Sequence, residues 1–156
     1  MNEVIEAIRN LLKTSLGSYY KKFYYGEIRV PNSAMLPFIE VIPVGSKVTN
    51  RGTGGMINNE YSIQINVKST LKKYLSQKTS DEILEHLKDL VERIEGRDDD
   101  GNLESNTILG VLHDNLQLSS TANINGDWDI SYWEIDLGES YIVVASITFT
   151  VKVITI

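Results

Sequence analysis

The last sixteen residues, Tyr141 to Ile156, read YIVVASITFTVKVITI. Val143, Ala145, Ile147, Phe149, Val151 and Val153 share one side of an extended chain. Ser146, Thr148, Thr150 and Lys152 share the other, with Ile142, Val144, Ile154 and Ile156 at the two ends. Period-two alternation with β-branched residues throughout predicts a strand. Drawn straight, it would span about 50 Å at about 3.3 Å per residue, where a common strand has about 5–6 residues. A small domain can cover such a ribbon only if the ribbon bends, or if a neighbouring subunit covers part of it.

Just upstream, Gly138–Glu139 predicts a turn, preceded by a strand over Asp127–Leu137. There Trp128, Ile130 and Tyr132 share one parity and Trp133, Ile135 and Leu137 the other. This slip predicts either a bulge at Tyr132–Trp133 or a strand covered on both faces. Ser119–Gly126 is a polar break, and Ile108–Leu118 is ambiguous, with room for a short strand at Asn115–Leu118.

Two helices are expected. Val4, Ile5, Ile8, Leu11 and Leu12 mark one face of a helix over Asn2–Lys13, with Asn2 as its N-cap and Gly17 at its stop. The second runs over Ser80–Glu95, with capping-box spacing from Thr79 to Glu82, an apolar stripe of Ile83, Leu84, Leu87, Leu90, Val91 and Ile94, and Gly96 at its end. Leu71–Gln77 is a basic connector. Between the helices, Leu36–Val44 predicts a strand with Pro37 and Pro43 near its ends. Glu60–Ser69 predicts another, with Tyr61, Ile63, Ile65 and Val67 on one face and Ser62, Gln64, Asn66 and Lys68 on the other. The four glycines of Gly45–Asn59 make these the arms of a hairpin with a long, mobile tip. No repeat or linker interrupts residues 1–156, so the chain reads as one α+β domain.

Composition sets outer limits. Of 156 residues, 42% are hydrophobic and 23% charged, as in a globular protein with one substantial core. The absence of cysteine excludes disulfides and thiolate metal sites. MNEVIEA shows no basic region followed by an apolar run, so we expect no cleaved secretion signal. The terminal ribbon is too short and too regularly polar to cross a bilayer. The expectation is a soluble, membrane-free product assembled inside a cell. The net charge of −6 hides an asymmetry: residues 1–78 hold 11 basic and 5 acidic residues, and residues 79–156 hold 4 and 16. A polarised subunit of this kind can meet its copies head to tail; a mixed, solvated surface is the plainer reading.

No constellation points to catalysis, a cofactor or a metal. RGTGG at Arg51–Gly55 lacks the lysine of a phosphate loop and precedes a strand rather than a helix. It reads as a hairpin tip. Asp98, Asp99, Asp100, Gly101 and Asn102 suggest a calcium loop. With Gly101 in sixth place, however, the first and twelfth ligands would be Gly96 and Thr107, neither a carboxylate. A solvated acidic turn is the better reading. His86 and His113 have no metal-ligand spacing, and no nucleophile elbow accompanies any serine. The aromatic run YYKKFYYGEIRV at Tyr19–Val30 resembles a base-stacking platform in miniature. It is short and set in an acidic chain, which favours protein packing instead.

The element order, together with PFIEVIPVG, NNEYSIQINV and SYIVVASITFTVKV, resembles the tail terminator (tail completion) proteins of tailed bacteriophages over roughly Asn2–Val153. The resemblance implies a single curved, mainly antiparallel sheet with two main helices packed on it, a long hairpin and a long C-terminal strand. It also implies a non-enzymatic virion protein. In that family the subunit forms a hexameric ring that caps the tail tube, ends its polymerisation and offers a docking surface to head-completion or neck proteins, while DNA only passes through the lumen. By analogy, Lys47, Arg51, Gly52, Gly54, Gly55 and Met56 at the hairpin tip would touch the tube or a neighbour. Asp98, Asp99 and Asp100 would face the ring or its lumen, where acidic groups let phosphates slide past. The alternatives are a head-completion or other neck adaptor and, in a different class, a small enzyme or ligand-binding domain with a pocket under the helices.

Overall fold

Burial of the terminal ribbon organises the whole structure. The computed structural model describes residues 1–26, 36–51, 56–72, 80–136 and 140–155. Along the chain lie α1 (Asn2–Leu16), β1 (Lys22–Tyr25), β2 (Phe38–Arg51), β3 (Met56–Lys72), α2 (Ser80–Glu95), α3 (Ile108–Asp114), β4 (Ala122–Ile124), β5 (Asp129–Asp136) and β6 (Ser140–Thr155). The six strands form one curled sheet in the order β1-β2-β3-β6-β4, with β5 also pairing β6. Only β1 and β2 run parallel; every other pairing is antiparallel.

The ribbon β6 pairs with β3 along its length, from Ser140↔Lys72 to Thr155↔Ile57. Its other edge is shared by β5, opposite Tyr141–Thr148, and β4, opposite Val151–Val153. Strand curl and two short partners therefore cover the overlong strand within one subunit. Val143, Ala145, Ile147, Phe149 and Val151 are buried against Ile63, Ile65 and Val67 of β3 and the helical layer. Each such side chain contributes about 1.5–3 kcal/mol of transfer free energy.

On the helical side, α1 buries Val4, Ile5, Ile8, Leu12 and Leu16. The helix runs three residues past its expected end. Asn2 is not its cap: Met1 is, through its carbonyl, which accepts from Val4 N and Ile5 N, and no side chain caps this end. In α2, Leu90 and Ile94 are buried, whereas Leu84 is exposed and Leu87 and Val91 are only partly covered. The capping box at Thr79–Glu82 lies outside what is described. α3 fills the first part of the ambiguous Ile108–Leu118 stretch, and the short strand expected at Asn115–Leu118 is present as a single antiparallel bridge, Gln117↔Asn123. The α3 N-cap Thr107 accepts from Gly110 N at 3.0 Å, and its hydroxyl donates to Glu104 O at 2.7 Å. β4 falls in the segment expected to be a polar break. Ala122 and Ile124 face the core while Asn123 faces out, a two-residue alternation too short to stand out.

In its described part, residues 19–26, the aromatic run makes contacts within the fold. Tyr20 and Phe23 are buried, and Tyr24 packs edge-on against Phe38. The Arg9 guanidinium lies 4.5 Å from the Tyr25 ring centroid, while its Nε donates to Phe23 O at 3.0 Å. Arg93 lies over the Tyr19 ring at 3.5 Å.

Candidate functional site

Among the described residues, exposed apolar side chains stand where β2, β3 and β6 extend together beyond the core. The hairpin differs from its expectation here. A register shift between Pro43 and Gly45 restarts the β2–β3 ladder, which then continues without interruption from Gly45↔Ser62 to Arg51↔Met56. Most of the expected loop is thus paired strand. Val48 and Thr49 supply the β-branched residues that suit a ladder, and the extra residue at the bulge is Val44, so that Gly45 itself pairs with Ser62. With Thr150–Thr155 of β6 alongside, the result is a three-stranded arm. Burial falls away along it: Val151 is fully buried, Val153 half-buried, while Ile154 (38%), Ile57 (40%) and Val48 (64%) are exposed.

Lys47 lies in this arm and not in a loop. By register it faces Glu60, which in turn faces Lys152. The row alternates in charge, as stable cross-strand neighbours do. These residues, with Thr49, Asn58 and Asn59, line a shallow hollow of about 100 Å3. Arg51 is the last residue of β2 and pairs with Met56, the first of β3. Gly52, Gly54 and Gly55 lie outside the described residues.

Asp98, Asp99 and Asp100 sit elsewhere, in the connection from α2 to α3, and no hydrogen bond or ion pair among the described residues joins them to the arm. The Asp98 carboxylate accepts from Asp100 N at 3.0 Å and Asn102 N at 2.9 Å. Gly101, at φ +83°, turns the chain, and Arg97 donates to its carbonyl at 2.8 Å. Asp98 is therefore a turn-forming residue, while Asp99 and Asp100 point charge at solvent. Among the described residues no group of three or more histidine or carboxylate side chains is placed to hold a metal ion.

The face away from the helices carries a second, polar cluster. Glu40 of β2, Asn66 of β3 and Ser146 of β6 are register partners. Glu40 is fully buried and meets Lys68 Nζ at 2.9 Å. Asn66 Nδ2 donates to Glu40 Oε2 at 3.3 Å, Ser146 Oγ donates to Asn66 Oδ1 at 2.5 Å, and Gln64 Nε2 reaches both Asn66 and Ser146. Beside it, Leu36, Phe38, Ile142 and Val144 form a small apolar cluster. These side chains bond to one another, which suits fixing the strand register rather than chemistry on a substrate.

Two clefts lie against α1. One, of about 510 Å3, is bounded by Asn2, Ile5, Glu6, Tyr25, Gly26, Val41 and Pro43. The other, of about 310 Å3, lies between Ala7, Asn10, Leu11 and Thr14 and the segment around Gln117. Neither gathers a nucleophile with a base. His86 Nε2 lies 3.4 Å from Ser69 Oγ, and His113 is exposed beside Asp114. Two tyrosines hold perturbed hydroxyls. Burial, then the adjacent Tyr19, pushes Tyr20 well above the usual tyrosine range. Burial, then the hydrogen bond to Glu95 Oε2 at 2.8 Å, does the same for Tyr132.

β5 carries what sequence reasoning missed. It pairs with β6 in unbroken register from Asp129↔Thr148 to Asp136↔Tyr141, so there is no bulge at Tyr132–Trp133. Ile130 and Tyr132 pack against the core. Trp133 (41%) and Ile135 (39%) remain exposed. The double parity was the available signal, and it marks a face left open. Comparison with protein-family models finds no match, and no curated protein matches the chain significantly.

Proposed function

We propose that the chain is a structural virion subunit of a tailed phage. It acts as the tail terminator: a ring, hexameric by the family resemblance, that caps the tail tube, stops its growth and presents a docking surface to the neck. The observation that carries this reading is the three-stranded arm with Val48, Ile57 and Ile154 exposed along it. Val48 and Ile57 lie on one face of the arm and Ile154 on the other, a protruding surface that an assembly subunit can bury. The opposed charge of the two halves of the chain supports contacts that run head to tail. On this reading the arm meets the tube or a neighbour, and Asp99 and Asp100 line the ring or its lumen, where DNA passes without being held.

Particle mass and electron microscopy of the purified chain, alone and mixed with tail tubes, test the proposal. Rings of about six copies, or caps on tube ends, are expected, with the free ring favoured at high concentration. Loss of the protein should give tails of uncontrolled length. A chain that stays monomeric and ignores tube ends overturns the reading.

A further inference from the structure

We infer that successive subunits join through the two open edges of the sheet, the basic edge of β2 in one copy pairing with the acidic edge of β5 in the next. The inference rests on the ring reading above and adds which surfaces meet.

Openness comes first. Among the described residues, β1 flanks β2 through Phe38–Val41, and the last backbone bond on that side is Gly26 N to Val41 O at 3.1 Å. From Ile42 to Arg51, no described strand covers that edge. At the other end of the sheet, β4 is closed by the segment beside it, with Ile124 N donating to Leu116 O at 2.6 Å and Leu118 N to Ala122 O at 2.9 Å. The outer edge of β5 has no such backbone partner among the described residues. Unpaired edges of this length are templates for a further strand.

Charge then chooses the pairing. Ile42–Arg51 contains Lys47 and Arg51 and no acidic residue. Asp127–Asp136 contains Asp127, Asp129, Glu134 and Asp136 and no basic residue. Joining like edges would set like charges against each other across the strands, whereas joining unlike edges neutralises them. The contact is therefore heterologous, the kind that closes into a ring when its rotation allows. Strand direction agrees: three antiparallel steps separate β2 from β5, so a rotated copy brings them together antiparallel. Lys47 and Asp129 share the face away from the helices, by their register with Glu60 and Thr148. Exposed Val48 flanks the seam on the helical face, and exposed Trp133 and Ile135 flank it on the other.

The geometry has a further consequence. β5 lies level with Phe38–Ile42 rather than with the arm. Pairing it with the arm of a neighbour displaces each copy by roughly 25 Å along the strands at about 3.3 Å per residue. The strands would then tilt against the ring axis, as they do in any closed barrel.

Two charge-reversed full-length variants test this: Lys47→Glu and Asp129→Lys. Lys47 and Asp129 are exposed, and circular dichroism checks that each variant folds. Each alone should need at least about tenfold more protein than the parent to assemble. Mixed one to one, the reversed edges complement each other, and assembly should return as alternating rings. Amides of 42–51 and 129–136 should gain hydrogen-exchange protection on assembly. If the parent forms rings and both variants form them equally well, or the mixture stays apart, edge pairing is wrong while the ring stands. A parent that never assembles removes both.

Discussion

Replacing Lys68 with methionine should destabilise the chain severely, although the change removes no apolar surface. Glu40 is fully buried, and the Lys68 ammonium lies 2.9 Å from its carboxylate. At an effective dielectric constant near 20, two unit charges at that separation attract by about 6 kcal/mol. Desolvating the two ions costs several kcal/mol each, so the intact pair is close to neutral in stability. Removing the cation takes away the ammonium 2.9 Å from a carboxylate that stays fully buried, and the neutral Asn66 amide at 3.3 Å does not replace that charge. The expected loss is about 3–5 kcal/mol, or about 6–20 °C in melting temperature at about 2–4 °C per kcal/mol for a chain of this size. Urea unfolding at fixed protein concentration measures it, since assembly would otherwise shift the midpoint. Glu40→Gln in the Lys68→Met background should recover all but about 1–2 kcal/mol, because a buried amide costs far less than a buried charge. The double-mutant cycle should then show a coupling above about 2 kcal/mol. A single Lys68→Met variant within about 1 kcal/mol of the parent would refute the reasoning, by showing that Glu40 does not depend on the ammonium.

Three further substitutions probe other parts of the structure. Gly110→Ala would drive a Cβ into Glu104 O and to 2.8 Å from Thr107 Oγ1, so a loss of about 1–3 kcal/mol is expected from overpacking, read by urea midpoint. Tyr20→Phe removes a buried hydroxyl that has no hydrogen-bond partner; stability should hold or rise by up to about 1 kcal/mol, and a clear loss in thermal melts would contradict the structure. Tyr132 and Tyr20 are both raised, so the folded state favours the protonated phenols. Their contribution is complete below the ordinary tyrosine value of about 10 and is lost as pH rises beyond it. Tyr132→Phe should flatten that alkaline loss in unfolding titrations carried above about pH 10, leaving the Tyr20 share.

Much of this fold could be read because one periodicity decided it. Val143, Ala145, Ile147, Phe149 and Val151 alternate so regularly that their burial on one face follows directly. The partner row Ile63, Ile65 and Val67 does the same. Misreadings cluster where local signals were weak or tertiary contacts overrode them. Asn2 has the chemistry of a cap, yet the helix starts with it and Met1 O serves instead. Gly45 looked like the start of a loop, but a bulge lets the ladder pass it and run on to Arg51. Ile108–Asp114 is a helix because Thr107 caps it, a signal hidden among the polar residues before it.

The candidate surface was legible only in part, for a reason that bears on assembly. Lys47 could be singled out as a cation near a hairpin tip, but its place on an open strand edge depends on where β1 stops. No local pattern in β2 encodes that stop. Nor does the alternation of β5 reveal which of its two faces is covered; Tyr132 turns inward to Glu95 while Trp133 stays out. An edge is a property of sheet order rather than of residues, so it appears only after the strands are placed. What the residues do encode is sign. The sequence holds no base in Asp127–Asp136 and no acid in Ile42–Arg51, and the fold puts these two stretches at opposite limits of one sheet. Surface solubility could be met by mixed charges on both edges. Segregating them disfavours every like-edge contact and leaves the unlike one, which is the bias a one-directional, closing assembly needs.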